Sequence, residues 1–358
     1  MEYLWYLYQQ NTIELSNMHS QDALSKALLS RYSISRSNQR EILLVPQSRE
    51  QTSTKNHILI KHMTSATLKP RSYLVLILSV LFLQGSVYAH EQQLYLSRYV
   101  PNLKYVDTDI TKDTETARYK PIFGEGDKDE KHLNAITRMG ELTVDPGGAS
   151  GIVRRKNEEY VLYVTSGKGT LIYGREEAPL RKNDFLYVPA GVRYGVSNNS
   201  KEPIRVLVMG YKLPKGIDYE PNMALEIANA DDVELQILGS HGPTTQYKLL
   251  MGDTTSTRDR LASASQMKSL FIMDFSPHGT NNPHSHSTQE EVYFVLQGSG
   301  YMVAGLDQYG NVERHPSQVG DAFYWAAGTE VGFYSLNEEG DEHSIILAIR
   351  SDDPTKSK

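Results

Sequence analysis

The 358-residue chain contains no cysteine. That absence excludes disulfide cross-links, a thiolate zinc site and a cysteine nucleophile, and it leaves the compartment to be read from other features. A basic surplus is missing too. Residues 90–358 carry 28 Lys and Arg against 38 Asp and Glu, a formal charge of −10, which argues against nucleic acid as a partner. Long apolar runs are scarce. The strongest, residues 73–83, extends to residue 89 only across Gln84 and Ser86, and Ser79 already interrupts it; a membrane helix takes about 20 predominantly apolar residues. What is present, 39% hydrophobic and 22% charged residues, is a globular composition with length for two domains.

Lys69 and Arg71 precede that apolar run, and Val87 and Ala89 occupy the small positions expected before a cleavage site. Residues 63–89 therefore read as a secretory signal peptide, cut between Ala89 and His90, with a single membrane anchor as the competing reading. The expected location is secreted or periplasmic, with no membrane attachment after cleavage. Residues 1–62 are rich in Ser, Gln and Asn and show neither a sustained helical period nor turn-bounded strands. They are expected to be translated upstream sequence or a poorly ordered extension, with Met63 as the start.

An internal repeat organises the remainder. At an offset of 131, Pro146 falls on Pro277, Gly148 on Gly279, Glu159 on Glu290, Gly167 on Gly298 and Gly169 on Gly300. The strand-like VLYVTSGKG then lies over VYFVLQGSG. Six further residues enter the second copy within GLDQYGNVERHPSQVGD, after which NDFLYVPAGVRYGV aligns with GDAFYWAAGTEVGF at an offset of 137. Short β-branched and aromatic runs separated by DPGG, NNS and NEEGD turns predict an all-β chain. The expected domains are 90–213 and 261–352, joined by a connector over 214–260 with one short helix.

The stretch PHSHSTQEEVYFVLQGSG, residues 283–300, carries the chemistry. In an extended strand residues i and i+2 share a face, so His284 and His286 converge while Ser285 points away, and Glu291 can add a carboxylate. Glu290 points to the opposite face and is expected to be solvated. The order His-x-His, four residues, Glu, six residues, Gly resembles the first motif of the cupin superfamily. That resemblance implies two tandem double-stranded β-helix (jelly-roll) barrels, a bicupin, with a metal site in a barrel. It covers roughly residues 130–350.

Two departures limit it. The first copy has Val153, Arg155 and Tyr160 where the second has His284, His286 and Glu291, so only the second barrel is expected to hold metal. Arg155 reads either as a solvated arginine at the barrel mouth or as an anchor for an anionic ligand. In the second cupin motif Ala326 stands where proline is usual and Val331 where the fourth ligand belongs; the first copy keeps Pro189 and Gly191 but has Tyr194 at that position. What remains, His284, His286 and Glu291, is a two-His-one-carboxylate set with open positions. It suits one divalent ion, Mn or Zn in preference to Fe in an oxidising compartment. The competing reading makes HSH a surface loop.

Other residues carry weaker signals. His278 is a candidate rim acid or base, His315 and His343 read as structural, and Tyr293, Tyr301, Tyr324 and Trp325 as core or pocket lining. His90, N-terminal after cleavage, could chelate copper. Three functions are open: a metal-dependent enzyme acting on a small polar metabolite (dioxygenase, decarboxylase, isomerase or hydrolase), a non-catalytic small-molecule or sugar binder, and a structural or storage protein. A small-molecule ligand is the expected partner, and a homo-oligomer is compatible with the sequence.

Overall fold

The computed structural model describes residues 32–36, 42–46, 94–216, 219–239 and 241–356. They belong to two compact units, 1–82 and 83–358. In the first, strands Tyr32–Arg36 and Ile42–Pro46 pair antiparallel, with Ile34 opposite Leu44. The sequence reading expected no strands here; YSISR and ILLVP are short β-prone runs that the polar background obscured. The expected signal peptide and His90 lie outside the described residues.

The second unit is all-β, and its described residues include no α-helix. Four antiparallel-dominated sheets build two barrels: six-stranded and three-stranded sheets make the first, seven-stranded and four-stranded sheets the second. The strand period of two explains the layering. In strand Glu158–Ser166, Tyr160, Leu162 and Val164 fill the first barrel, while Val161 and Tyr163 face a core shared with the second. In strand Gln289–Gln297, Tyr293 and Val295 fill the second barrel, while Val292 and Phe294 join that shared core. Both strands end on glycine turns. Gly167 and Gly298 have φ of 83° and 77°, and a Cβ there would run into the Pro203 carbonyl and the Ser344 side chain, so both conformation and space require glycine.

The barrels exchange their leading strands. Tyr95–Tyr99, which precedes the first barrel, pairs with Asp321–Trp325 at the edge of the second, Tyr95 opposite Trp325. Ile227–Asn229, which precedes the second, pairs with Asp184–Val188 at the edge of the first. Each arm continues into a short 3-10 turn, Val100–Asn102 and Ala230–Asp232. The region expected to be a helical connector therefore contributes a strand and a 3-10 turn to the first barrel. Its later part, Thr245–Asp253, is a full strand of the second barrel's large sheet.

Glu159 and Glu290 lock the exchange. Both are fully buried. Glu159 accepts hydrogen bonds from the backbone N–H groups of Ser265 (3.0 Å), Gln266 (2.8 Å) and Met267 (2.9 Å) in the other barrel, and from the Tyr187 hydroxyl at 2.8 Å. Glu290 accepts from Asn134 N–H at 2.7 Å, Ala135 N–H at 3.0 Å and the Tyr324 hydroxyl at 2.7 Å. The sequence reading placed Glu290 on the correct face and expected water there; the other barrel covers that face instead. Tyr324, read as core or pocket lining, serves this junction.

Burial pushes both carboxyl groups above the ordinary glutamate range, against the opposing pull of their donors. Since the folded chain then holds these protons to higher pH than the unfolded chain, their contribution to stability falls as pH rises from the ordinary glutamate value through the raised one. Glu159→Gln or Glu290→Gln sets an amide donor against backbone donors. Each is expected to cost on the order of 2–3 kcal/mol in urea unfolding at pH 7, and to flatten the pH dependence of stability in that window.

Candidate metal centre

His284 begins the short strand His284–Ser285, His286 follows it directly, and Glu291 enters from strand Gln289–Gln297. The three side chains form a cluster whose ligand atoms all lie within 4.8 Å of one another. His286 Nε2 stands 3.3 Å from Glu291 Oε2. Two ligand atoms bound at about 2.1 Å and about 100° apart are separated by about 3.2 Å, so this spacing fits a shared ion as well as a direct His–Glu ion pair. Glu291 is 2% exposed and its Oε2 has no hydrogen-bond donor; a buried carboxylate oxygen left in that condition is costly unless a cation faces it. The His284 Nδ1 lies 2.9 Å from the Asn282 carbonyl. A proton on Nδ1 donated to that carbonyl leaves Nε2 free to ligate, the usual outer-shell arrangement for a metal-binding histidine.

The cluster opens into a cleft of about 330 Å³, open mouth included. Among its lining residues are His241, Tyr247, Arg258 and Arg350, none of which the sequence reading singled out. The His241 ring centre lies 5.3 Å from that of His284, and burial, followed by the neighbouring His284, holds its pKa below the usual histidine value. Burial pushes the Tyr247 phenol up. Its hydroxyl has no hydrogen-bond partner. Arg350 Nε is 4.0 Å from Glu291 Oε1.

Val331, expected at the fourth-ligand position, is directly opposite His284 in the ladder and buried at 1% exposure. The first barrel reproduces the pairing with Val153 opposite Tyr194, so the internal alignment holds at the site. There the interior is filled differently. Arg138, with no exposed surface, sends Nη2 to Asp109 Oδ1 and Glu125 Oε2, both at 2.5 Å. Arg155 pairs with the same two acids, its Nε 2.9 Å from Asp109 Oδ2. It is thus neither simply solvated nor unneutralised.

The remaining candidates disperse. His278 is exposed, pairs with Glu338 at 3.2 Å and stands apart from the cleft. His343 pairs with Asp274 at 2.5 Å, and His315 packs 5.0 Å from the Tyr95 ring. Tyr293 and Trp325 are core, whereas Tyr301 is 37% exposed.

Paired large and small sheets closed around separate interiors define the double-stranded β-helix class, here twice in one chain. Family models agree: residues 140–210 match "Cupin domain" and residues 254–358 match "Cupin". The chain is a member of the cupin superfamily, a bicupin. No curated protein matches the sequence. Among solved structures, it is similar to protein YlbA from E. coli (16% identity, TM-score 0.54, 75% of this chain and 97% of that one). It is also similar to a putative glyoxylate-induced protein from Pseudomonas aeruginosa (15%, 0.58, 76% and 95%). A third likeness is to a variant of oxalate decarboxylase from Bacillus subtilis (13%, 0.52, 72% and 77%). At these identities the likeness is one of fold.

Adjacent carboxylates on opposite faces of one strand should behave differently. In chelator-treated protein, Glu291→Gln is expected to leave stability unchanged or to raise it, since Oε2 makes no hydrogen bond to lose and the substitution removes a buried charge; Glu290→Gln should show its full loss. Thermal and urea unfolding of the two variants side by side would decide.

Proposed function

We propose that this bicupin is secreted or periplasmic, binds one divalent metal ion through His284, His286 and Glu291, and acts on a small polar metabolite. The observation that carries the reading is the unpartnered Glu291 Oε2 set 3.3 Å from His286 Nε2. Mn or Zn is favoured over Fe, because an oxidising compartment does not keep Fe(II) reduced. When bound, the ion would supply Lewis-acid polarisation of a carbonyl or activation of water or dioxygen.

The chain's own part is orientation. The Asn282 carbonyl holds the His284 ring. Val331 and Tyr293 belong to the packed core of the second barrel, and Tyr293 also lines the cleft. His241 stands at the cleft wall, its pKa held below the usual histidine value by burial. Reaction class does not follow from fold. A second reading, binding without turnover, draws on Val331 at the fourth-ligand position and on the ligand-free first barrel. A structural or storage role has less support, because it gives no reason for a buried carboxylate facing two imidazoles.

Elemental analysis of untagged protein is expected to find close to one equivalent of metal per chain, lost in the His284→Ala, His286→Ala double variant. Metal content equal in both proteins would sink the site. Incubating loaded protein with candidate metabolites and assaying for product separates the enzyme from the binder.

A further inference from the structure

The two barrels treat one interior rung in opposite ways. In the first, Arg138 stands opposite Gly210 across the ladder. In the second, Ser269 aligns with Arg138, and the arginine is on the facing strand, with Arg350 opposite Ser269. Each barrel therefore directs one guanidinium inward from the same rung. A phenol accompanies it in both: Tyr119 faces Leu142 as Tyr247 faces Met273.

The first barrel supplies carboxylates to its guanidinium from its own chain. Asp109 comes from the segment that bridges Val106 to Tyr119, and Glu125 follows Gly124, the residue paired with Arg138. In the second barrel the matching segment bridges Gln236 to Tyr247, which sets Gly239 at the place of Asp109. Asp253, which follows Gly252 as Glu125 follows Gly124, turns to Lys268 at 3.2 Å. Gly239 brings no carboxylate, and that of Asp253 is paired with Lys268 rather than Arg350. Three donors on the cleft wall lack hydrogen-bond partners: Arg350 Nε, the Tyr247 hydroxyl and the Ser269 hydroxyl, the last two on residues 2% exposed. Glu291, 4.0 Å from Arg350, is the acid committed to the triad. The rest of the wall is apolar, formed by Leu238, Leu249, Phe271 and Met273.

We infer that the second barrel takes a short-chain carboxylic acid with an apolar tail, its carboxylate seated against Arg350 as Asp109 is seated against Arg138 in the first barrel, with the Tyr247 hydroxyl as a further donor, and its tail on Leu238, Leu249, Phe271 and Met273. A guanidinium and a phenol are the donors a carboxylate satisfies, and a neutral isostere leaves them unpaired. The assignment rests on the metal reading above for what lies beside the carboxylate, while the recognition belongs to Arg350 and Tyr247.

The test is calorimetric titration of the full chain, loaded with Mn and assayed for metal content, using isovalerate, its amide isovaleramide, acetate and oxalate. Isovalerate is expected to bind at least about tenfold more tightly than isovaleramide and more tightly than acetate or oxalate, which lack the tail. Arg350→Gln should abolish the preference for acid over amide with metal content unchanged. Tyr247→Phe keeps the packing and guards against a variant that fails to fold. It should weaken isovalerate severalfold while leaving the unfolding temperature equal or higher, because the hydroxyl removed has no partner in the fold. Equal binding of acid and amide, no binding of isovalerate to loaded protein, or unchanged affinity in Tyr247→Phe would each overturn the assignment and leave the metal reading intact. Protein that takes up no metal yet binds isovalerate through Arg350 would overturn the metal reading and support the carboxylate site.

Discussion

Two buried carboxylates hold this molecule in its form. Glu159 and Glu290 each leave their own barrel and accept the first backbone N–H groups of a strand in the other. A loop start buried between two sheets would otherwise leave those donors without partners, at a cost of about 1–3 kcal/mol for each. The carboxylates meet that need, and Tyr187 and Tyr324 hold them in place. Since the next residue along each strand points inward, the same two strands also position Tyr160 and Glu291. The junction and the metal centre are therefore two faces of one strand, and a shift in its register would move both.

This coupling accounts for how the two copies diverged. A barrel interior needs something at its polar end. The second barrel has two imidazoles, a carboxylate and an open cleft. The first has a guanidinium whose charge is neutralised by Asp109 and Glu125. Tyr160 bonds Glu158 at 2.5 Å where the other barrel directs Glu291 inward. One copy balances its interior charge with its own acids, and the other gathers imidazoles and a carboxylate at a cleft.

Much of this was legible from the residues. Pro146 on Pro277 and Gly167 on Gly298 disclosed the repeat, and His-x-His with Glu291 disclosed the cluster, because turn conformation and strand period act locally. Glu290 was assigned to the right face and the wrong surroundings, because alternation states which side a residue takes and not what covers it. Tyr247, Arg350 and His241 were missed for a related reason. The second copy carries three more residues between Gly252 and Ser269 than the first does between Gly124 and Arg138, so Tyr119 and Tyr247 do not align at the offset that matches the strand cores. Arg350 has a glycine, Gly210, at its counterpart, and a like-for-like comparison passes over it. The connector's first strand was hidden by its brevity: IAN, Ile227–Asn229, has no period to read.

The exchange of leading strands has an evolutionary reading. Two separate single-barrel chains that swapped N-terminal arms would form a closed twofold dimer with this pattern of strand pairings, and here both copies lie in one polypeptide. Fusion lifts the demand that the halves be identical, so one half can give up its ligands while still acting as the template on which the other is built. The strand at Tyr95–Tyr99 and the backbone at Asn134 and Ala135 complete the second barrel's edge and its buried carboxylate. A gene encoding the second barrel alone would yield a sheet with a bare edge at Asp321–Trp325 and a buried carboxylate facing solvent, and such edges invite aggregation.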